Sequence, residues 1–95
     1  MLEVDETDEF LEWIDSLRSA QVRSRIRTRL RRLSWGNPGP HRVLAGGIVE
    51  LKIDHDAGYR VYYTRIGPAR RLVLRGGDKQ SQQRDIEAAR RAARE

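Results

Sequence analysis

The sequence predicts an α+β fold: an N-terminal strand, a helical hairpin, three antiparallel strands and a C-terminal helix. Three observations carry this prediction. Apolar residues recur at helical spacing from Phe10 to Leu33, the period changes to two from Val49 to Leu74, and helical spacing returns at Ile86, Ala89 and Ala93. Glycine and proline mark the changes of period at Gly36-Asn37-Pro38-Gly39-Pro40, Gly58, Gly67-Pro68 and Gly76-Gly77.

Leu2 to Val4 is a short apolar start suited to an edge strand. Thr7 or Asp8 can cap a helix whose residues Phe10, Trp13, Ile14 and Leu17 share one face. A turn near Arg18 to Ala20 leads to Val22, Ile26, Leu30 and Leu33, whose spacing gives a second amphipathic helix with arginine on its other sides. The proline- and glycine-rich stretch after Trp35 cannot continue that helix, and it reads as a loop through Gly46-Gly47. Val49, Leu51 and Ile53 then alternate with Glu50, Lys52 and Asp54. Asp56-Ala57-Gly58 supplies a hairpin turn, and Val61 and Tyr63 alternate with Arg60 and Tyr62. Beyond Gly67-Pro68, Leu72 and Leu74 alternate with Arg71, Val73 and Arg75. Gly76-Gly77 reads as a tight turn into a last helix from about Gln80 to Arg94.

The 95 residues suit one small domain, 1–95, and 38% apolar residues in periodic array suit a packed core. Absence of cysteine excludes disulfides, thiolate metal sites and a cysteine nucleophile. The carboxylates form no ligand spacing and the two histidines, His41 and His55, stand alone, so neither metal nor cofactor is expected. The uncharged run Val43 to Val49 is far shorter than the roughly 20 residues of a spanning helix, and the first residues are acidic. A cytoplasmic protein without membrane or signal segment is the expectation.

Net charge is +5, and its distribution says more than its sum. Residues 1–17 carry seven acids and no base, residues 18–35 carry seven arginines and no acid, and the two blocks cancel. Lying antiparallel, they would pair across their seam, which makes the arginine run a set of solvated ion pairs. The excess positive charge then belongs to residues 36–95. With Val49, Leu51, Ile53, Val61, Tyr63, Leu72 and Leu74 turned towards the helices, Glu50, Lys52, Arg60, Tyr62 and Arg75 share the opposite face of the sheet. Cations with an aromatic among them match what single-stranded nucleic acid requires: phosphate neutralisation and a stacking surface. Arg60 can equally pair with Glu50 or Asp54 on the neighbouring strand.

The element order, with Glu50-Leu51-Lys52-Ile53-Asp54, Gly58-Tyr59-Arg60-Val61-Tyr62-Tyr63 and Gly76-Gly77-Asp78-Lys79-Gln80-Ser81-Gln82 followed by Asp85-Ile86, resembles the RelE/ParE toxin superfamily. Within it, the chain looks like the phage-derived RelE-like addiction-module killer branch related to HigB toxins. The resemblance implies the toxin of a type II toxin–antitoxin system, a ribosome-dependent mRNA endonuclease that uses the 2′-hydroxyl to attack the adjacent phosphate without a metal. Carried over by position, Arg60 would hold the scissile phosphate and offset transition-state charge, with Lys52 flanking it. Lys79 would bind phosphate or protonate the leaving 5′ oxygen. Arg75, Tyr62 and Arg71 are the further RNA-binding candidates, Tyr62 for base stacking. Position 52 is more often arginine in this branch, the residue before Gly76 is often uncharged, and no tyrosine or histidine follows in the last helix. The implied partners are the ribosome with its mRNA and a cognate antitoxin of helix-turn-helix, HigA-like type, through which alone operator DNA would be reached. Two other classes share these features: a ParE-like gyrase inhibitor and a non-catalytic nucleic-acid-binding module.

Overall fold

A computed structural model describes residues 1–95. Its elements are β1 (Glu3–Glu6), α1 (Asp8–Ser16), α2 (Ala20–Ser34), β2 (His41–Leu44), β3 (Ile48–Lys52), β4 (Arg60–Gly67), β5 (Arg70–Gly77) and α3 (Gln82–Ala93). The strands form one sheet in the order β1-β5-β4-β3-β2, with β1 parallel to β5 and every other pair antiparallel. This is the α+β order expected, with one strand more. β2 lies in the stretch read as loop. Gly46 and Gly47, both at positive φ, turn the chain so that Val43 pairs with Val49 and Leu44 with Ile48. As an edge strand with mostly exposed side chains, β2 leaves no apolar alternation to read.

Both helices of the hairpin begin where side chains can cap them. The Thr7 hydroxyl accepts the Phe10 N–H at 3.1 Å and donates to the Leu74 carbonyl at 2.6 Å, so the cap also ties α1 to β5. Ser19 accepts the Val22 N–H at 3.2 Å and starts α2. The expected ion-paired seam between the acidic and arginine blocks does not form. Arg27 with Glu6 is the one ion pair between them. Glu3 and Asp5 instead pair with Arg70, and Glu9 lies 3.8 Å from Arg75, because β1 and α1 both adjoin β5. What joins the helices is apolar: Phe10 and Ile14 share a core with Val22, Ile26, Leu30 and Leu33.

That core rests on one face of the sheet, on Leu51, Ile53, Val61, Tyr63 and Val73. The other face is also a core rather than an open cationic surface. There α3 lays Ile86 and Ala89 over Ile48, Tyr62 and Leu74, with Leu72 at the margin. Leu72 and Leu74 thus face α3 and not the hairpin, contrary to the alternation read from sequence. The cause is a β-bulge: Tyr62 pairs with Arg75 but Tyr63 pairs with Val73, so Leu74 is an extra residue in β5. A bulge lets Leu74 and Arg75 lean to the same side. It then sets Gly76 towards α1 and Gly77 towards α3.

Both glycines lie inside β5, not in a turn, and close approach is what requires them. A Cβ on Gly76 would overlap the Trp13 indole, and one on Gly77 would overlap the Asp85 carboxylate.

Candidate nucleic-acid interface

The charged ends of β3 and β4 meet beside the loop that joins them. Lys52 closes β3 and pairs with Arg60, which opens β4 and pairs on its other side with Gly77. The first turn of α3 covers the next row of the sheet, with Gln82 on Glu50 and Asp85 on Arg75, and stops short of the Lys52–Arg60 row. Lys79 reaches that row from the segment before α3. Its amide donates to the Ala57 carbonyl at 3.3 Å, and its side chain passes over Gly58. A Cβ built on Gly58, whose φ is +65°, would stand 2.9 Å from both Lys79 Cε and Arg60 Nη1. The missing side chain leaves room for the Arg60 guanidinium and the Lys79 stem side by side.

Arg60 is held in place from behind. Its Nη1 donates to the Gly58 carbonyl at 2.6 Å, and its Nε lies 3.7 Å from Glu50 Oε2, too far to bond. Nη2 makes no hydrogen bond within the protein, and 18% of the side chain remains accessible. Glu50 is 0% exposed and is fixed by Arg42 Nε at 3.2 Å and Gln82 Nε2 at 3.0 Å. A buried carboxylate so tied lets the strand carry a guanidinium at its surface without an unpaired charge beneath it. The N-terminal end of α3 adds partial positive charge on the same side. Lys52, Arg60 and Lys79 can therefore hold a phosphate dianion, or the extra charge of a pentacoordinate phosphorus, through charge-assisted hydrogen bonds.

Of the other residues singled out from sequence, Arg75 is adjacent but occupied. Its Nη2 bonds Asp85 Oδ1 at 3.0 Å, and Asp85 is itself buried and accepts from Ser81 at 2.5 Å. Tyr62 corrects the stacking expectation: at 0% exposure under α3 it offers no face to a base. Burial first, and the Glu50 carboxylate second, raise its phenol pKa. Arg71 does not belong to the cluster. It pairs with Arg65 and Val4 at the far end of β5, about 20 Å from Gly77 at the rise of a strand. His41 is an exposed residue whose Nδ1 lies 2.7 Å from the Gly39 carbonyl.

Sequence reading missed three contributors. Arg29 is buried, and its guanidinium donates to the carbonyls of Lys52, Pro38 and Pro40, which fastens the proline–glycine loop to the end of β3. Burial, and then Arg32, lower its pKa. The spacing of Val22, Ile26, Arg29 and Leu33 already sets Arg29 on the buried stripe. His55 and Tyr59, in the β3–β4 loop, have no such signal. They line a cleft of about 460 Å³ together with Arg29, Lys52, Gly58 and Arg60. No group of three or more His, Asp or Glu side chains is close enough to hold a metal ion, and no helix is long and apolar enough to cross a membrane.

No protein-family model matches the chain. An uncharacterized protein of Haemophilus influenzae is 35% identical over 94 residues, covering 99% of this chain and 95% of that protein. Among solved structures, a chain of the intact E. coli RelBE toxin–antitoxin complex superposes with a TM-score of 0.66 and 21% identity, over 82% of this chain and 96% of its own. The isolated E. coli RelE toxin gives 0.64 and 16%, over 92% of this chain and 97% of its own. At these identities the likeness is one of fold.

Proposed function

We propose, for a chain that belongs to one family with the Haemophilus influenzae protein and has the RelE fold, the role of toxin in a type II toxin–antitoxin pair. Its activity is ribosome-dependent cleavage of mRNA, as in the HigB-related branch it resembles. The observation that carries this reading is the pairing of Lys52 with Arg60 at the end of the sheet, where Arg60 and Lys79 pack together against Gly58. In the reaction the 2′-oxygen forms a bond to phosphorus as the bond to the 5′-oxygen breaks, the 2′-hydroxyl proton passes to solvent water and the leaving oxygen gains one. Arg60, through its free Nη2, takes the phosphate charge as it grows. Lys52 supports it from β3, and Lys79 binds phosphate or protonates the leaving oxygen. All three act without a metal. The partner is a cognate antitoxin, of helix-turn-helix type in this branch, that covers the cluster or blocks its approach to the ribosome.

Induction of the chain alone, followed by mapping of mRNA 5′ ends, tests the reading. Cuts within translated codons, bearing 5′-hydroxyl ends that need a kinase before ligation, are expected from the wild type. They should disappear with Arg60→Ala, which truncates a partly exposed side chain and leaves both cores intact. Growth arrest with intact mRNA would discard the nuclease and turn attention to a protein target such as gyrase.

A further inference from the structure

We infer that Tyr59 and His55 form a nucleobase-binding subsite beside the phosphate-binding cations, an inference that rests on the RNA-cleaving reading. Cations alone hold a phosphate and leave the attached base free to swing. Holding one nucleotide in register for in-line attack calls for a flat surface near the phosphate. Strand alternation assigns that role to Tyr62, but Tyr62 is sealed under α3. The aromatic groups that do adjoin Lys52 and Arg60 are Tyr59 and His55, which line the same cleft. Its volume, about 460 Å³, lies within the usual range of small-ligand sites.

The two rings are held in an orderly arrangement. The Trp13 indole meets the Tyr59 ring edge-on, with centroids 6.2 Å apart and planes at 68°. Trp13 in turn leans on Phe10 in the main core at 6.0 Å. The Tyr59 carbonyl accepts the Ile53 N–H at 2.9 Å, which fixes the backbone beneath the ring. The His55 ring lies 5.0 Å from Tyr59 at 42°, from an exposed loop position. Tyr59 is thus preorganised from the core side, and His55 is the member with freedom to adjust around a base. The Tyr59 hydroxyl has no hydrogen-bond partner in the protein and is not buried, so it remains free to meet a base edge or a sugar.

The hydrogen bonding of His55 narrows its role. Its Nδ1 accepts the Ala57 N–H at 3.1 Å. In the neutral ring the proton is then on Nε2, so the free nitrogen is a donor and not a general base. Stacking plus one donated hydrogen bond suits a purine or pyrimidine carbonyl next to the scissile phosphate. The site therefore contributes nucleotide positioning and base preference rather than proton transfer.

The test uses ribosomes programmed with a short message whose A-site codon carries a 2′-deoxy sugar at the cleavage position, so that it binds without being cut. Two versions are compared, one with all its bases and one abasic at the codon nucleotide next to that phosphate. Stacking on an aromatic ring predicts that the wild type binds the intact message about 5- to 150-fold more tightly than the abasic one. In Tyr59→Leu, which keeps bulk against Trp13, that preference should collapse towards unity while affinity for the abasic message is unchanged. His55→Ala, on an exposed loop, should reduce the preference part of the way, and it carries the test alone if Tyr59→Leu does not fold. Equal losses on both messages would mean a structural role only, and a wild type indifferent to the missing base would equally overturn the subsite. The two failures are distinct: binding that ignores the base removes the subsite and keeps the RNA reading, whereas no binding to either message removes both.

Discussion

At the scale of single residues, the Lys52–Arg60 cluster depends on groups that hold the backbone behind it. Arg29 is the clearest of these, because its one guanidinium satisfies three backbone carbonyls, those of Lys52, Pro38 and Pro40, on two separate segments. Arg29→Ala should destabilise the chain by about 3 kcal/mol, the scale of losing charged hydrogen bonds with their acceptors left buried. Urea unfolding measures it. Arg29→Lys should recover little, since an ammonium cannot span the two sides of the fork. Tyr62 and Tyr63 give a second residue-level expectation. Burial raises both phenol pKa values in the folded chain, with Glu50 adding to the effect at Tyr62 and Arg71 opposing it at Tyr63. The unfolded chain loses these protons near pH 10, as an ordinary tyrosine does, while the folded chain keeps them. Stability is therefore fully present below about pH 10 and falls as pH rises beyond it, by up to about 1.4 kcal/mol per unit for each tyrosine. Thermal melts from neutral to alkaline pH should show the decline, and Tyr62→Phe should lessen its slope. An unchanged slope would mean that the Tyr62 phenol ionises as readily in the fold as out of it.

At the scale of elements, α3 is latched to β5 by a carboxylate lying where a glycine has no side chain. Gly77→Ala must push Asp85 away, which breaks its bonds to Arg75 and Ser81 and loosens the first turn of α3. A loss of about 2–3 kcal/mol is expected. Gly77→Ala combined with Asp85→Ala should be less destabilised than the sum of the single changes, because the clash disappears with the carboxylate; an additive cycle would contradict this packing. The same elements show how much could be read in advance. Helix α2 and strands β3 and β4 were legible because apolar residues repeat at one period on one face, and Lys52 and Arg60 were legible as a pair because they flank a hairpin loop. Strand β2 was not, since an exposed edge strand has no buried side to pattern. Nor was the facing of Leu72 and Leu74, because one extra residue at the bulge reverses the parity of everything on one side of it. Tyr62 followed the correct face, yet the face itself was covered by α3, whose apolar residues do not announce which surface they will bury. Lys79 was named from the motif that follows Gly76-Gly77, and its bond to the Ala57 carbonyl ties that motif to the β3–β4 loop; His55 and Tyr59 come in through loop geometry, so tertiary placement alone brings those two to the cleft.

For the molecule as a whole, a net charge of +5 and a defined cationic path make different predictions about RNA. The cleft of Lys52 and Arg60 shares Arg29, Pro40, Ile53 and Asp54 with a groove of about 550 Å³ that continues along α2 past Arg25 and Arg32. A strand seated at Arg60 has its flanking phosphates within reach of that groove. At physiological salt the Debye length is about 8 Å, so an arginine 20 Å or so from the strand contributes little to binding. Each phosphate neutralised on a single strand changes the slope of log affinity against log salt by about −0.7. Arg25→Gln with Arg32→Gln should therefore flatten the slope for a single-stranded RNA oligomer by about 1.4 over roughly 50–200 mM salt. Arg65→Gln with Arg71→Gln removes the same charge at the opposite end of β4 and β5 and should leave the slope unchanged. Fluorescence anisotropy at several salt concentrations compares the two pairs directly. If both flatten the slope equally, overall charge governs the encounter and the groove along α2 has no special part in it. If only the first pair does, the arginine run is neither a set of surface ion pairs nor a diffuse charge, but the wall of the channel that leads to Arg60.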